Sequence, residues 1–177
     1  PIITKATEVN FETGDKIGLT VVVEGTSEDY ATNECLAFAD NVFSGDLDWY
    51  ADIYTKADLY AYYPYSEGGT PSAYFTVYDQ TKGIGTADFM YASKTGVLPT
   101  VNSVAMVFKH MMTKLVVNVD NQSGAEIESI GIDGTPRAAA LDLVNMTLAE
   151  YEGDLTAEVP VPVKAYEAAA GKTWQAI

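Results

Sequence analysis

Phe108-Lys109-His110-Met111-Met112-Thr113-Lys114-Leu115, inside a long apolar run from Val104 to Val119, decides how the chain folds. The stretch Phe108–Leu115 gathers the only histidine, two of the five methionines and two of the ten basic residues. Read with a period of two, Val104, Met106 and Phe108 share one face of an extended strand. Leu115, Val117 and Val119 fall on the face of opposite parity. A slip of one residue turns every side chain over, so no continuous strand keeps both sets buried. The chain must insert a residue, bend or turn between Lys109 and Lys114. Two strands of a β-sheet protein, joined by a kink at His110, account for the pattern.

The rest of the sequence supports an all-β chain. Turn signals punctuate the apolar runs at Gly14-Asp15, Glu24-Gly25-Thr26-Ser27, Ser44-Gly45-Asp46, Ser66 to Pro71, Lys82-Gly83, Asn121 to Gly124 and Ile132-Asp133-Gly134. Between them lie strand candidates at Lys16–Val23, Ala57–Tyr63, Ala73–Tyr78, Ala87–Ser93, Val101–Lys109, Lys114–Asp120 and Glu126–Ile132. Ser123-Gly124 is expected to turn a hairpin between the last two. Ala138 to Leu148 fits a helix, through Leu141, Val144 and Leu148, as well as it fits a strand. Tyr166 to Ala170 reads as one helical turn, approached through an extended stretch holding Pro160 and Pro162.

A chain of 177 residues suits one domain, or one domain and part of another. It can bury roughly 70% of its unfolded surface, so it needs neither disulfides nor a metal to fold. Cys35 is alone, which excludes an internal disulfide, and it reads as a small apolar residue. The formal charge is −15, from 25 acidic and 10 basic residues. Phosphate backbones call for clustered Lys and Arg, so nucleic acid is excluded as a partner, and anionic membrane surfaces are disfavoured. No stretch reaches 18 apolar residues, so no transmembrane helix is expected. Pro1-Ile-Ile-Thr-Lys5 has neither the basic nor the apolar region of a signal peptide.

Three motifs in order carry a resemblance. The first is Thr4-Lys-Ala-Thr-Glu-Val-Asn-Phe11-Glu-Thr-Gly14-Asp15-Lys-Ile17-Gly18-Leu19. The second is Asp58-Leu-Tyr-Ala61-Tyr62-Tyr63-Pro64-Tyr65, followed by Asp79-Gln80 and Ala87-Asp88-Phe-Met90. The third is Val107-Phe108-Lys109-His110 through Lys114-Leu115. Their order and spacing, over residues 4 to 132, resemble the N-terminal region of the fimbrillin-like proteins of Bacteroidales, the subunits of surface pili. The resemblance implies a transthyretin-like β-sandwich of about seven or more mostly antiparallel strands, with little helix, followed by a second β-domain. It also implies export as a lipoprotein, a place on the cell surface in association with the outer membrane, and other pilus subunits as partners. In such pilins a protease removes an N-terminal strand, and a neighbour's strand fills the exposed groove. On this reading residues 1–155 form the first domain, and residues 156–177 form a linker and the start of a second, cut short. The residues matching the family motifs, Phe11, Gly14, Asp15, Gly18, Tyr63, Pro64, Phe108 and His110, are expected to define the fold.

Chemistry is sparse. His110 and Met112 share one side of a strand and Met111 faces the other, so a soft-metal site would need ligands from elsewhere. A general base needs a positioned partner, and none is visible for His110 or for a Cys35–His110 pair. Asp46, Asp48, Asp52 and Asp58 stand near Trp49 and Tyr50, but the stretch lacks the turn glycine and closing glutamate of a calcium loop. It reads as a solvated acidic loop rather than the carboxylate pair of a glycosidase. Gly83-Ile-Gly85 lacks the third glycine and the lysine of a phosphate loop. Neither catalytic residues nor a cofactor are expected. Trp49, Tyr60 and Tyr62 are candidate adhesive aromatics, because large amphipathic rings stack on sugars and proteins. The sequence thus suggests a non-enzymatic pilus subunit that assembles by strand addition. The alternative is a pilus-tip adhesin or glycan-binding module on the same scaffold, with surface glycans or proteins as ligands.

Overall fold

The computed structural model describes residues 11–47, 53–153 and 161–177. Among them run fourteen strands and one 3-10 turn at Gly85–Ala87. In chain order these are β1 (Lys16–Val23), β2 (Asp29–Ala39), β3 (Val42–Ser44), β4 (Ala57–Tyr63), β5 (Ala73–Phe75), β6 (Met90–Val97) and β7 (Lys109–His110). There follow β8 (Leu115–Asn118), β9 (Gly131–Ile132), β10 (Ala138–Asp142), β11 (Thr147–Glu150), β12 (Val163–Lys164), β13 (Tyr166–Ala169) and β14 (Thr173–Ala176). The strands pair antiparallel. The chain divides into two compact units: Pro1–Ser72, Phe89–Met111 and Asp142–Thr147 form the first, and Ala73–Asp88, Met112–Leu141 and Leu148–Ile177 the second.

The first unit is built on a six-stranded sheet in the order β3-β2-β1-β4-β6-β7. Its centre is set by alternation. Ile17, Leu19 and Val21 of β1 and Ala57, Leu59 and Ala61 of β4 all point to one face and are buried. Removing each of the larger of these side chains from water contributes about 1.5–3 kcal/mol. Val104, Met106 and Phe108 cover that face, with Met106 and Phe108 buried and the intervening Ala105 and Val107 exposed. The parity expected from the sequence is therefore present. The ladder expected over Val101–Lys109 is present only at its end, where Lys109 and His110 pair with Tyr91 and Met90.

The second unit holds three small sheets, ordered β11-β10-β5, β12-β9 and β13-β14-β8. Its core is Val163, Ala165, Trp174 and Ala176, with Tyr78, Val119, Ile127, Ile130 and Ile132 packed against it. Gln80, only 1% exposed, holds the backbone of Ile177. Its Nε2 donates to the Ile177 carbonyl at 2.6 Å, and the Ile177 amide donates to its Oε1 at 2.9 Å. A side-chain amide here matches both backbone groups of a residue, as a paired strand would.

Several expectations change. Ser123-Gly124 does not turn a hairpin of adjacent strands: β8 pairs with β14, and β9 pairs with β12. Trp174 explains the preference, since the β14 register sets it opposite Val117 while Val119 joins the same core. The Ala138–Leu148 segment is extended, as β10 and the start of β11 around a turn at Asp142, whose Oδ1 accepts the amides of Val144 and Asn145. Tyr166 to Ala169 is a strand rather than a helical turn, because Tyr166 and Glu167 pair with Gln175 and Trp174. The strand expected at Ala87–Ser93 begins at Met90, the 3-10 turn occupying the earlier residues.

Candidate assembly groove and the motif residues

Phe11 stands where the three sequence motifs meet. Its ring packs edge-on against Tyr63 at 5.3 Å and Phe108 at 5.3 Å, and against Phe43 at 4.8 Å, with Phe38 at 5.8 Å. Offset and edge-to-face pairs at these spacings add to the burial of the rings themselves. Asp15 ties the same residues through polar contacts. Its Oδ2 accepts the Glu12 amide at 2.8 Å, and its Oδ1 accepts the Tyr63 hydroxyl at 3.2 Å. Gly14 between them has φ of 101°, a left-handed conformation that favours glycine, and its amide donates to the Phe38 carbonyl at 2.9 Å. The Tyr63-Pro64 peptide at the end of β4 is cis.

The outer face of the sheet explains Gly18 and Tyr62. Gly18 pairs with Tyr62 across β1 and β4. A Cβ at Gly18 would lie 2.6 Å from the Tyr62 Cζ and 2.7 Å from the Asn33 Oδ1, so the ring occupies the place of a side chain. The Tyr62 hydroxyl donates to Asn33 Oδ1 at 2.5 Å and accepts the Ser66 amide at 3.2 Å. The ring stacks on Phe89 with 6.0 Å between centroids. Burial pushes its phenol pKa up, which keeps it a neutral donor. Tyr62 is 2% exposed and presents no ring face to a ligand.

Tyr60, half-buried on the same outer face, borders a depression of about 240 Å³ together with Thr20, Val22, Asp29, Thr32 and Thr70. Burial first, and the Asp58 carboxylate second, raise the Tyr60 pKa. Asp58 also accepts the Gly96 amide at 2.9 Å, which makes it a backbone anchor where the β4–β6 pairing shifts register. Asp46 is exposed. Trp49, Tyr50, Asp48 and Asp52 lie outside the described residues, as do Thr4 to Asn10 of the first motif and Pro160 of the linker reading. His110 is exposed on β7 opposite Met90, and Cys35 is half-buried on β2 opposite Gly18. No group of three or more His, Cys, Asp or Glu side chains stands together among the described residues. No helix among them is long and apolar enough to cross a membrane.

The inner face holds an apolar cavity of about 270 Å³. Ile17 and Leu19 of β1, Leu36 of β2 and Leu59 of β4 form its floor, Val42 and Phe43 of β3 one wall, and Thr100 to Met106 its roof. β3 is the last strand of the sheet on this side among the described residues, so the cavity adjoins an edge with open backbone groups. The sequence did not single out β3 or Asn33. The signal for β3 was Asp40-Asn41, whose φ values of 51° and 63° match the sign pattern of a type I′ hairpin turn.

These features define an all-β scaffold in which separated motif residues converge on one aromatic hub beside an open sheet edge. The chain belongs to the fimbrillin-like family, whose model matches residues 4–177. The match extends past the 4–132 stretch where the sequence motifs lie, to residue 177. No curated protein matches the chain. Among solved structures, a candidate cell adhesion protein from Bacteroides uniformis is 23% identical with a TM-score of 0.65, covering 93% of this chain and 67% of its own. A candidate cell adhesion protein from Bacteroides ovatus is 19% identical with a TM-score of 0.62, with the same two coverages, 93% and 67%. A fimbrial protein from Bacteroides ovatus is 19% identical with a TM-score of 0.56, covering 94% of this chain and 37% of its own. At these identities the likeness is one of fold.

Proposed function

We propose that this chain is a non-enzymatic pilus subunit of the cell surface, on a transthyretin-like sandwich, assembling when an extended strand of a neighbouring subunit enters the inner-face cavity of the first unit. The cavity carries the reading. It is apolar, it runs beside the β3 edge, and a strand laid there would satisfy backbone groups while alternate side chains fill the space. Family membership supports other pilus subunits as the partners and the outer membrane surface as the place.

The reading is tested with the full-length exported protein after proteolytic maturation. It is expected to give SDS-resistant ladders on unheated gels. Val42→Trp, which fills the cavity from its wall, should abolish the ladders while leaving the circular dichroism spectrum unchanged. Ladders that persist in Val42→Trp contradict strand entry at this cavity. A chain that forms no ladders and instead binds glycans through Tyr60 would belong at the pilus tip, the role the outer-face depression supports.

A further inference from the structure

We infer that a second copy of this chain docks on the free edge of β8, forming a two-fold antiparallel sheet with Val117 at its centre. β8 is the outer strand of its three-stranded sheet among the described residues. Leu115 is 43% and Val116 46% exposed, and no charge or proline interrupts Leu115–Asn118 to blunt the edge.

The register follows from the backbone. The Val119 amide donates to the Lys172 carbonyl at 2.9 Å, and Leu115 and Val117 share its parity and pair with Ala176 and Trp174. The odd positions of this strand therefore spend their backbone groups on β14. The even positions, Val116 and Asn118, direct theirs outward. An incoming antiparallel strand must pair even with even.

Three pairings about a two-fold axis satisfy that parity: Val116 on itself, Val116 on Asn118, or Asn118 on itself. Side chains choose among them. With Val116 opposite Asn118, Leu115 of one copy faces Val119 of the other and Val117 faces its own counterpart. The apolar row on the core face then continues across the axis, covering the exposed Leu115. The same register sets Lys114 of each copy opposite Asp120 of the other, a complementary charge at both ends of the pairing. Asp120 is exposed, and its Oδ2 accepts the Gln122 side-chain Nε2 at 2.8 Å. The interface is isologous and closes as a pair. It uses the second unit and does not involve the cavity, so it does not depend on the strand-entry reading.

Sedimentation velocity of the 177-residue chain over rising concentration tests this. A concentration-dependent dimer is expected. Lys114→Glu should weaken it by about tenfold, because two symmetric pairs turn from attraction to repulsion. The exchanged variant Lys114→Glu/Asp120→Lys should return the dimerisation constant to within about threefold of the parent. Val116→Pro, which deletes an outward amide and spares those bonded to β14, should abolish the dimer in a chain whose near-ultraviolet circular dichroism is unchanged. A chain that stays monomeric to about 1 mM overturns the inference. So does a dimer indifferent to Lys114→Glu, or an exchanged variant that fails to recover.

Discussion

Phe11→Ala is expected to remove about 3–5 kcal/mol of stability, the range for deleting a buried aromatic ring. The effect should sit at the top of that range for a structural reason. The Phe11 ring is 7% exposed and touches rings from four separate segments: Phe38 on β2, Phe43 on β3, Tyr63 on β4 and Phe108 ahead of β7. Three of these ride on hydrogen-bonded strands or their ends and cannot all move inward to close the space. A cavity that its walls cannot fill keeps its full cost. Urea unfolding followed by far-ultraviolet circular dichroism measures it. A loss below about 1 kcal/mol would mean that Phe11 is a surface contact and that the motifs do not converge as described.

Trp174→Ala should cost the second unit a comparable amount, about 3–5 kcal/mol. Trp174 is 1% exposed on β14 between β13 and β8, opposite Glu167 and Val117. The other buried residues of this core, Val163, Ala165 and Ala176, are small, so the indole is its largest fully buried side chain. Hydrogen exchange resolves the consequence by segment. Protection should fall across β8, β13 and β14 together, since one ring serves all three. Loss of protection confined to β14 would show that β13 and β8 are held by other contacts.

How much of this was legible in the sequence depends on how regularly each segment alternates. β1 and β4 match the expected Lys16–Val23 and Ala57–Tyr63, because each buries one face continuously. The parity change between Phe108 and Leu115 is equally plain, and it marks the passage from the first unit to the second at Met111 and Met112. β2 escaped, although it is the longest strand at 11 residues. Its middle, Thr32-Asn33-Glu34, is polar, and Asn33 has φ of 55° where the pairing with β1 shifts register. A bulge of this kind erases the period on which a strand is recognised. That same bulge lets Asn33 hold the Tyr62 hydroxyl and, through Nδ2, the Ser66 carbonyl at 3.0 Å.

The candidate site was legible in part for a similar reason. The Phe11–Asp15 segment, Tyr63 and Phe108 are far apart in sequence, and only the fold shows that they meet: ring packing and the Asp15–Tyr63 hydrogen bond bind them into one cluster. Tyr62 looked like an exposed adhesive ring from its alternation. A glycine directly across the strand pair instead lets it lie flat and buried. Gln80 gave no periodic signal, since its role is to imitate backbone toward Ile177.

Hydrogen exchange at β3 tests strand entry most directly. Amides of Val42, Phe43 and Ser44 are compared in the unassembled subunit and in SDS-resistant polymer. Entry of a neighbour's strand predicts that outward amides at this edge become strongly protected on assembly, together with slower exchange at Leu19 and Leu36 beneath the cavity. Unchanged exchange at β3 in authentic polymer would contradict the account, and would place the joint between subunits elsewhere on the chain.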